Sequence, residues 1–181
     1  MDVVAALVTA IWIMLPAYVP NNVAVLSGGG RPIDGGKTWR GRRVLGDGKT
    51  WRGTVVGISA GIALAFLLNA VNGPLSNGIG VSLPIFSIAI ALAFPIGALV
   101  GDMAASFLKR RTGRERGAAF PGVDQFDFLV MALLFGVIAD PGWVLDVFTP
   151  LIVGIVLVVT PILHVSTNVA AYHLDLKSEP W

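Results

Sequence analysis

Long apolar runs alternate along this chain with two short clusters of charge. A helix needs about 20 apolar residues to cross a hydrocarbon core about 30 Å thick. Runs suited to that task recur at Val3 to Leu26, Thr54 to Asn72, Pro84 to Phe107, Phe126 to Ala139 and Val147 to Ala171, and none contains Lys or Arg. The fourth is short and is extended by starting it at Asp124. The pattern predicts an all-α integral membrane protein, a bundle of about five transmembrane helices in a single domain over residues 1–181. Two basic loops, 27–53 and 108–123, join the helices on one side.

Composition agrees with the pattern. The 181 residues are 55% hydrophobic and 13% charged, with a mean hydropathy of +0.77, whereas soluble domains carry about a quarter charged residues. The opening Met-Asp-Val lacks the basic start of a signal peptide, so the first segment is expected to remain as a span. The absence of cysteine excludes disulfides and thiolate metal sites.

Charge then orients the bundle. The first loop holds Arg31, Lys37, Arg40, Arg42, Arg43, Lys49 and Arg52, the second holds Lys109, Arg110, Arg111, Arg114 and Arg116, and the tail holds Lys177. These are all 13 Lys and Arg of the chain, and a five-helix arrangement puts them on one side. The positive-inside bias predicts a multi-pass protein of the cell membrane with its loops and C-terminus cytoplasmic and its N-terminus outside.

Topology, or attraction to anionic headgroups, explains the sign of these loops but not their wording. Gly-Lys-Thr-Trp-Arg-Gly occurs twice, at Gly36–Gly41 and Gly48–Gly53. Glycine permits close backbone approach, successive amides can form an anion nest, and Lys and Arg supply charge-assisted donors. Phosphate binding through Lys37, Arg40, Lys49 and Arg52 is the expected use. Thr50, like Ser106 in the third helix, bonds either phosphate or backbone. A P-loop is excluded, because its first glycine would fall at Arg31 or Arg43 and no strand precedes. Trp39 and Trp51 fit an interfacial aromatic belt better than stacking on a base.

Acidic residues divide unevenly. Asp2, Asp140 and Asp146 fall at the expected outer ends, Asp175 and Glu179 in the tail, and Asp34, Asp47 and Glu115 among the basic loops, where solvation or charge balance is the default. Asp102 differs, because an ionisable group near a helix end in the membrane is costly unless paired or metal-bound. Its face of the third helix also carries Ser106 and Lys109 or Arg110. Asp124 and Asp127 share a face at the start of the fourth helix. Helix capping or ion pairing would account for each carboxylate singly. Three carboxylates converging on cation-rich loops instead suggest a Mg²⁺ site, built from Asp102, Asp124 and Asp127, for a phosphorylated substrate.

Other polar features have plainer readings. His164, Asn168 and Tyr172 form a helical stripe, with packing expected for His164 and a headgroup role for Asn168. Pro16, Pro20 and Asn21 suggest a kink or break in the first helix. Gly53, Gly57 and Gly61, and the pair Gly97 and Gly101, suggest close helix packing.

These motifs carry a resemblance. "GDMAASFLKRRTG" (Gly101 to Gly113) followed by "PGVDQFDFL" (Pro121 to Leu129) resembles the signature of phosphatidate cytidylyltransferases, except that Val123 stands where that family has a longer stretch before the first Asp. "LPAYVPN" (Leu15 to Asn21), "PIDGGKTWR" (Pro32 to Arg40), "LGDGKTWRG" (Leu45 to Gly53) and the ending through His164, Asn168, Tyr172, Lys177 and Trp181 resemble the archaeal CDP-archaeol synthase family over nearly the whole chain. The resemblance implies a reaction of CTP with 2,3-bis-O-(geranylgeranyl)-sn-glycerol 1-phosphate, an isoprenoid ether lipid phosphate of the bilayer, and no nucleic acid partner. In that reading Asp102, Asp124 and Asp127 hold Mg²⁺ against the triphosphate. Lys37, Arg40, Lys49 and Arg52 grip phosphates, and Lys109 and Arg110 stabilise charge on the leaving pyrophosphate.

Two rivals remain at this level. A small transporter would place its carboxylates near mid-membrane rather than at one face. A phosphotransferase that consumes CDP-lipids would carry a long Asp-Gly to Asp-x-x-x-Asp signature, which this chain lacks.

Overall fold

The structure is a computed structural model that describes residues 2–114 and 119–174; Glu115, Arg116, Asp175, Lys177, Glu179 and Trp181 lie outside the described residues. Among the described residues six helices form: α1 Val3–Leu26, α2 Trp51–Ile79, α3 Ile88–Arg111, α4 Val123–Ala139, α5 Pro141–Val147 and α6 Pro150–His173. Four of them, α1, α2, α3 and α6, are long and apolar enough to cross a membrane. The 17 residues of α4 span only about 25 Å at 1.5 Å per residue.

The helix ends follow local chemistry. Asp2, Thr50, Ser87, Asp140 and Thr149 cap α1, α2, α3, α5 and α6, each side chain accepting a backbone N–H of the first turn. Between the expected fourth and fifth spans lies a separate short helix, Pro141–Val147, and the expected last span, Val147 to Ala171, starts three residues later, behind Thr149 and Pro150, as α6. α2 begins at Trp51, inside the second hexapeptide, and runs past Gly73 and Pro74 to Ile79.

Half of the most apolar stretch of α1 and of α3 is buried, against about a fifth of those of α2 and α6. α1 and α3 thus form the centre, where Ile13, Met14, Ile90 and Phe94 are sealed with Leu129 of α4 and Ile152 of α6. The outer faces of α2 and α6 expose Phe66, Leu67, Val158 and Ile162, as lipid contact requires. Tyr18 of α1 bonds Thr160 of α6 through their hydroxyls at 2.8 Å.

The glycine stripes set the closest approaches. α1 stays helical through both prolines, so no break occurs at Asn21. Pro20 offers no N–H to the Pro16 carbonyl four residues earlier, and that carbonyl faces Gly61 while the Pro20 carbonyl faces Gly57, where a Cβ would come within 2.8 and 2.6 Å. Gly97 and Gly101 do the same for α3 on α4; a Cβ at Gly97 would lie 2.5 Å from the Met131 carbonyl, and one at Gly101 would collide with the Asp127 carbonyl. At the pole opposite the basic loops, the extended segment 81–87 is held by polar side chains. Asn69 and Asn72 donate to the carbonyls of Phe86 and Leu83, Trp12 to that of Pro84 and Trp143 to that of Ile85.

Gly101→Ala is expected to cost about 1–3 kcal/mol through forced separation of α3 and α4, seen as a lower thermal unfolding temperature in detergent. Gly154→Ala on α6, where a Cβ meets open space, is expected to be neutral or slightly stabilising.

Candidate functional site

Both basic loops meet at one pole of the bundle. The first is folded around a carboxylate. Asp34 Oδ2 accepts the backbone N–H groups of Leu45 and Gly46 at 3.0 Å, Oδ1 accepts that of Gly36 at 3.0 Å, and the Arg43 guanidinium reaches both oxygens, at 2.7 and 3.3 Å. The Asp34 side chain is 1% exposed. The Arg43 guanidinium, aided by the backbone amides and opposed by burial, holds the carboxyl well below the usual carboxylate range, and Asp34 with Asp47 raises Arg43 in return. The expectation of a solvated or merely charge-balancing Asp34 is therefore corrected: it is the loop's internal scaffold. An Asp-Gly-Gly start, which favours local side-chain to backbone bonds, was the signal available in the sequence.

Identical hexapeptides adopt different structures on this scaffold. In the first copy Thr38–Trp39 pairs antiparallel with Arg42–Arg43. Arg40 (φ 53) and Gly41 (φ 75) make the turn, the positive-φ pair that a two-residue hairpin needs. In the second copy Lys49 to Trp51 runs beside Arg31 to Ile33, with Ile33 N donating to Lys49 O at 2.8 Å and Trp51 N to Arg31 O at 3.2 Å. Thr50 then caps α2, and Gly53 packs against the Ala24 carbonyl.

α3 supplies the opposing wall. Arg111 donates to the carbonyls of Trp39, Arg42 and Arg43, and it lies 5.1 Å from the Trp39 ring, which stacks on Phe107. Arg111 thereby ties the hairpin to the end of α3. Lys49 reaches Asp102 at 2.5 Å, and Lys109 reaches Asp124 of α4 at 2.7 Å, with all four side chains 18–28% exposed. The Asp127 backbone abuts Gly101, next to Asp102 in α3, and Asp127 stands three residues after Asp124 on α4. Behind Lys49 a recess of about 20 Å³ is lined by Asn21, Gly48, Thr50 and Asp102. Asn21 Oδ1 is buried there without a hydrogen-bond partner among the described residues.

The structure therefore gathers Lys49, Asp102, Lys109, Asp124 and Asp127 at one centre, with Ser106 half-buried one turn beyond Asp102. Other candidates are placed elsewhere. Lys37 and Arg40 are exposed on the hairpin. Arg52 donates to the Ser27 and Gly28 carbonyls at the end of α1, and the Thr50 hydroxyl is occupied as a cap. Arg110 lies against Gly46 and donates to the Arg114 carbonyl at 2.9 Å. His164, Asn168 and Tyr172 lie on the last turns of α6, where Tyr172 packs edge-on against His173. Among the described residues no three His, Cys, Asp or Glu side chains cluster tightly enough to hold a metal by themselves. Magnesium commonly takes one or two carboxylates and completes its shell with phosphate oxygens and water. The hard oxygens of Asp127 and its two neighbours fit that demand.

A polytopic helical bundle with carboxylates facing cationic loops at one pole is the architecture of a membrane enzyme acting on phosphates. A sequence model of the CarS-like family, described as CDP-archaeol synthase, matches residues 3–181. The CDP-archaeol synthase of Halorubrum lacusprofundi is 62% identical over 96% of both chains. That of Halobacterium salinarum is 59% identical over the full length of both, and that of Methanococcoides burtonii 45% identical over 93% of this chain and all of its own. A solved structure described as an intramembrane enzyme for archaeal membrane lipids biosynthesis superposes with a TM-score of 0.70 at 36% identity, covering 88% of this chain and 92% of that one. The chain belongs to the CDP-archaeol synthase family. It is a membrane-bound, CTP-dependent cytidylyltransferase.

Because the native pKa of Asp34 is depressed, its contribution to loop stability is present above the unfolded value of about 3.9 and is lost as pH falls through the native value. Hydrogen exchange over residues 34–46 is expected to show protection that holds from neutrality to about pH 5 and declines only in stronger acid. Asp34→Asn is expected to lose that protection even at neutral pH.

Proposed function

We propose that the protein transfers CMP from CTP to 2,3-bis-O-(geranylgeranyl)-sn-glycerol 1-phosphate, releasing pyrophosphate, in a Mg²⁺-dependent reaction on the cytoplasmic side of the membrane. The observation that carries this reading is the pairing of Lys49 with Asp102 and Lys109 with Asp124 across the junction of both loops. Cations and carboxylates interleaved at one pole suit a triphosphate and its metal. The membrane-embedded helices below keep a lipid phosphate at the same level, with its prenyl chains beside the bundle.

A lipid phosphate oxygen bonds to the α-phosphorus of CTP while the bond from that phosphorus to the bridging oxygen of the β-phosphate breaks, and the electron pair leaves with pyrophosphate. No covalent enzyme intermediate is needed, so catalysis consists of in-line positioning and charge neutralisation. Lys49 and Lys109 are the cations nearest the carboxylates and bind phosphate oxygens as these pairs open. Asp102, Asp124 and Asp127 would hold Mg²⁺, which when bound supplies charge neutralisation at the triphosphate. Lys37 and Arg40 extend the cationic rim from the hairpin, and Arg52 and Thr50 act through the backbone they hold. Arg110 faces the outgoing phosphates.

Purified protein supplied with α-³²P-CTP, the ether lipid phosphate and Mg²⁺ is expected to move label into the lipid phase, and EDTA to abolish the transfer. Asp102→Asn is expected to lose about 10²-fold or more in turnover, the scale of losing one electrostatic group at a reacting centre. Its unfolding temperature should stay near wild type, and full activity in this variant would overturn the role given to Asp102.

A further inference from the structure

At the pole opposite the basic loops the helices end at different heights, and contacts between them supply the ruler. The Ala24 carbonyl packs on Gly53, and Ala24 and Met103 line one recess beside Asp102, so α1, α2 and α3 share a level there. From that level, at 1.5 Å per residue, α1 runs ~32 Å to Val3 and α2 ~39 Å to Ile79, but α3 only ~22 Å to Ile88. α4 keeps step with α3: Gly101 abuts the Asp127 carbonyl at one end, and the Ser87 hydroxyl donates to Asp140 at 2.7 Å at the other. α6 is short as well. Counted from the Tyr18–Thr160 bond it reaches Pro150 in ~15 Å, whereas α1 continues ~22 Å to Val3.

α5 closes this shortened end. Val144 packs against Gly136 of α4, and Trp143 stacks on Phe86 and donates to the Ile85 carbonyl at 2.7 Å. Asp140 and Asp146 stand at its two ends, and neither forms an ion pair with a described cation. Asp146 is exposed, as are Pro141, Gly142, Thr149 and Pro150 in the turns on either side. A hydrocarbon core about 30 Å thick, counted from the level of Asp102, reaches the Asp2 end of α1 but would submerge this corner by roughly 7 Å. Two carboxylates and the irregular backbone of two turns would then face lipid tails, which supply no hydrogen-bond partner. Thinning a bilayer by a few ångströms costs far less.

We infer that the corner from Asp140 to Pro150 is an interaction surface for lipid headgroups of the leaflet opposite the basic loops. The fold draws those headgroups roughly 7 Å toward the loop pole, so that α5 lies among them in a locally thinned bilayer. Asp140 and Asp146 then meet headgroup donors and their water instead of hydrocarbon. The aliphatic side chains around the corner mark where the tails begin: Ile85, Ile88, Ile138 and Leu145 are 62–77% exposed. Trp143, with its N–H bonded and its ring half-buried, takes the interfacial place that suits tryptophan. α1 and α2, which run farther, hold the bilayer at full thickness on their own flank, so the thinning is confined to the side of α4, α5 and α6.

The test is a depth measurement on the full-length protein in phosphatidylcholine nanodiscs. The chain has no cysteine, so a single introduced cysteine carries one spin label. Gly142→Cys keeps both carboxylates, Val4→Cys marks the end of α1, and Leu134→Cys marks the exposed face of α4. Relaxation by oxygen against a polar nickel chelate is expected to place the label at 142 at headgroup depth, within about 3 Å of the label at 4, and the label at 134 in hydrocarbon. A label at 142 that reads hydrocarbon, roughly 7 Å deeper than the label at 4, overturns the inference. So does a label at 142 shielded from both relaxants, because another protein surface then covers the corner. Asp146→Leu gives a second measure that needs no label. Its unfolding temperature relative to wild type is expected to change alike in detergent and in nanodiscs, since position 146 meets water in both. A rise confined to nanodiscs puts the corner among lipid tails and overturns the inference. None of these readouts depends on CMP transfer, so the inference and the proposed reaction stand or fall separately.

Discussion

The active pole depends on one buried carboxylate. A loop with six Lys and Arg between α1 and α2 repels itself and has no apolar core of its own. Asp34 supplies an interior by accepting three backbone N–H groups and a guanidinium at once. Because acceptors inside a poorly solvated loop are scarce, these bonds count for more than they would in water. They bring Gly36, Arg43 and Gly46 around one point, and that closure fixes where Lys49 emerges. Lys49 is then placed by its backbone pairing with Ile33 and meets Asp102.

The same constraint explains why the repeated hexapeptide does two jobs. Its local preferences are identical in both copies, so propensity cannot separate a hairpin from a helix start. Position decides. The first copy leads into no helix and closes on itself through Arg40 and Gly41, whereas the second meets the end of α1, where only glycine fits beneath the Ala24 carbonyl at Gly53. One Gly is needed for positive φ and its twin for close packing, two separate reasons for the same letter.

Much of the bundle was legible because a membrane imposes a length and a polarity on each span. The boundaries were less so. α2 continues through Pro74 since its far end is tethered by Asn69, Asn72 and Ser76 to the segment 81–87, contacts that no window of hydropathy contains. Asp102, Lys109, Asp124 and Asp127 were legible from helical spacing and from the cost of charge near the membrane, and Lys49 from the repeated hexapeptide. Arg52 and Thr50 were indistinguishable from phosphate ligands by residue type, and only the position of the α1 carbonyls and the α2 amides shows what they hold. Arg111 was hidden among three consecutive basic residues, Lys109, Arg110 and Arg111, whose directions differ by about 100° per residue on a helix.

That divergence is how a short basic run serves several partners. Lys109 turns toward α4 and pairs with Asp124, Arg110 turns toward Gly46, and Arg111 turns to the hairpin carbonyls. Three adjacent side chains thereby join α4, the Gly46 turn and the hairpin to the end of one helix. The α3 helix is itself anchored by Gly97 and Gly101 against α4, so the spacing between Asp102 and Asp127 is set by backbone contact rather than by flexible side chains. A site that must keep carboxylates and lysines near each other in the absence of substrate needs such a rigid floor. The ion pairs then satisfy the charges, and in the proposed reaction an arriving phosphate exchanges with a carboxylate for a lysine without moving a helix.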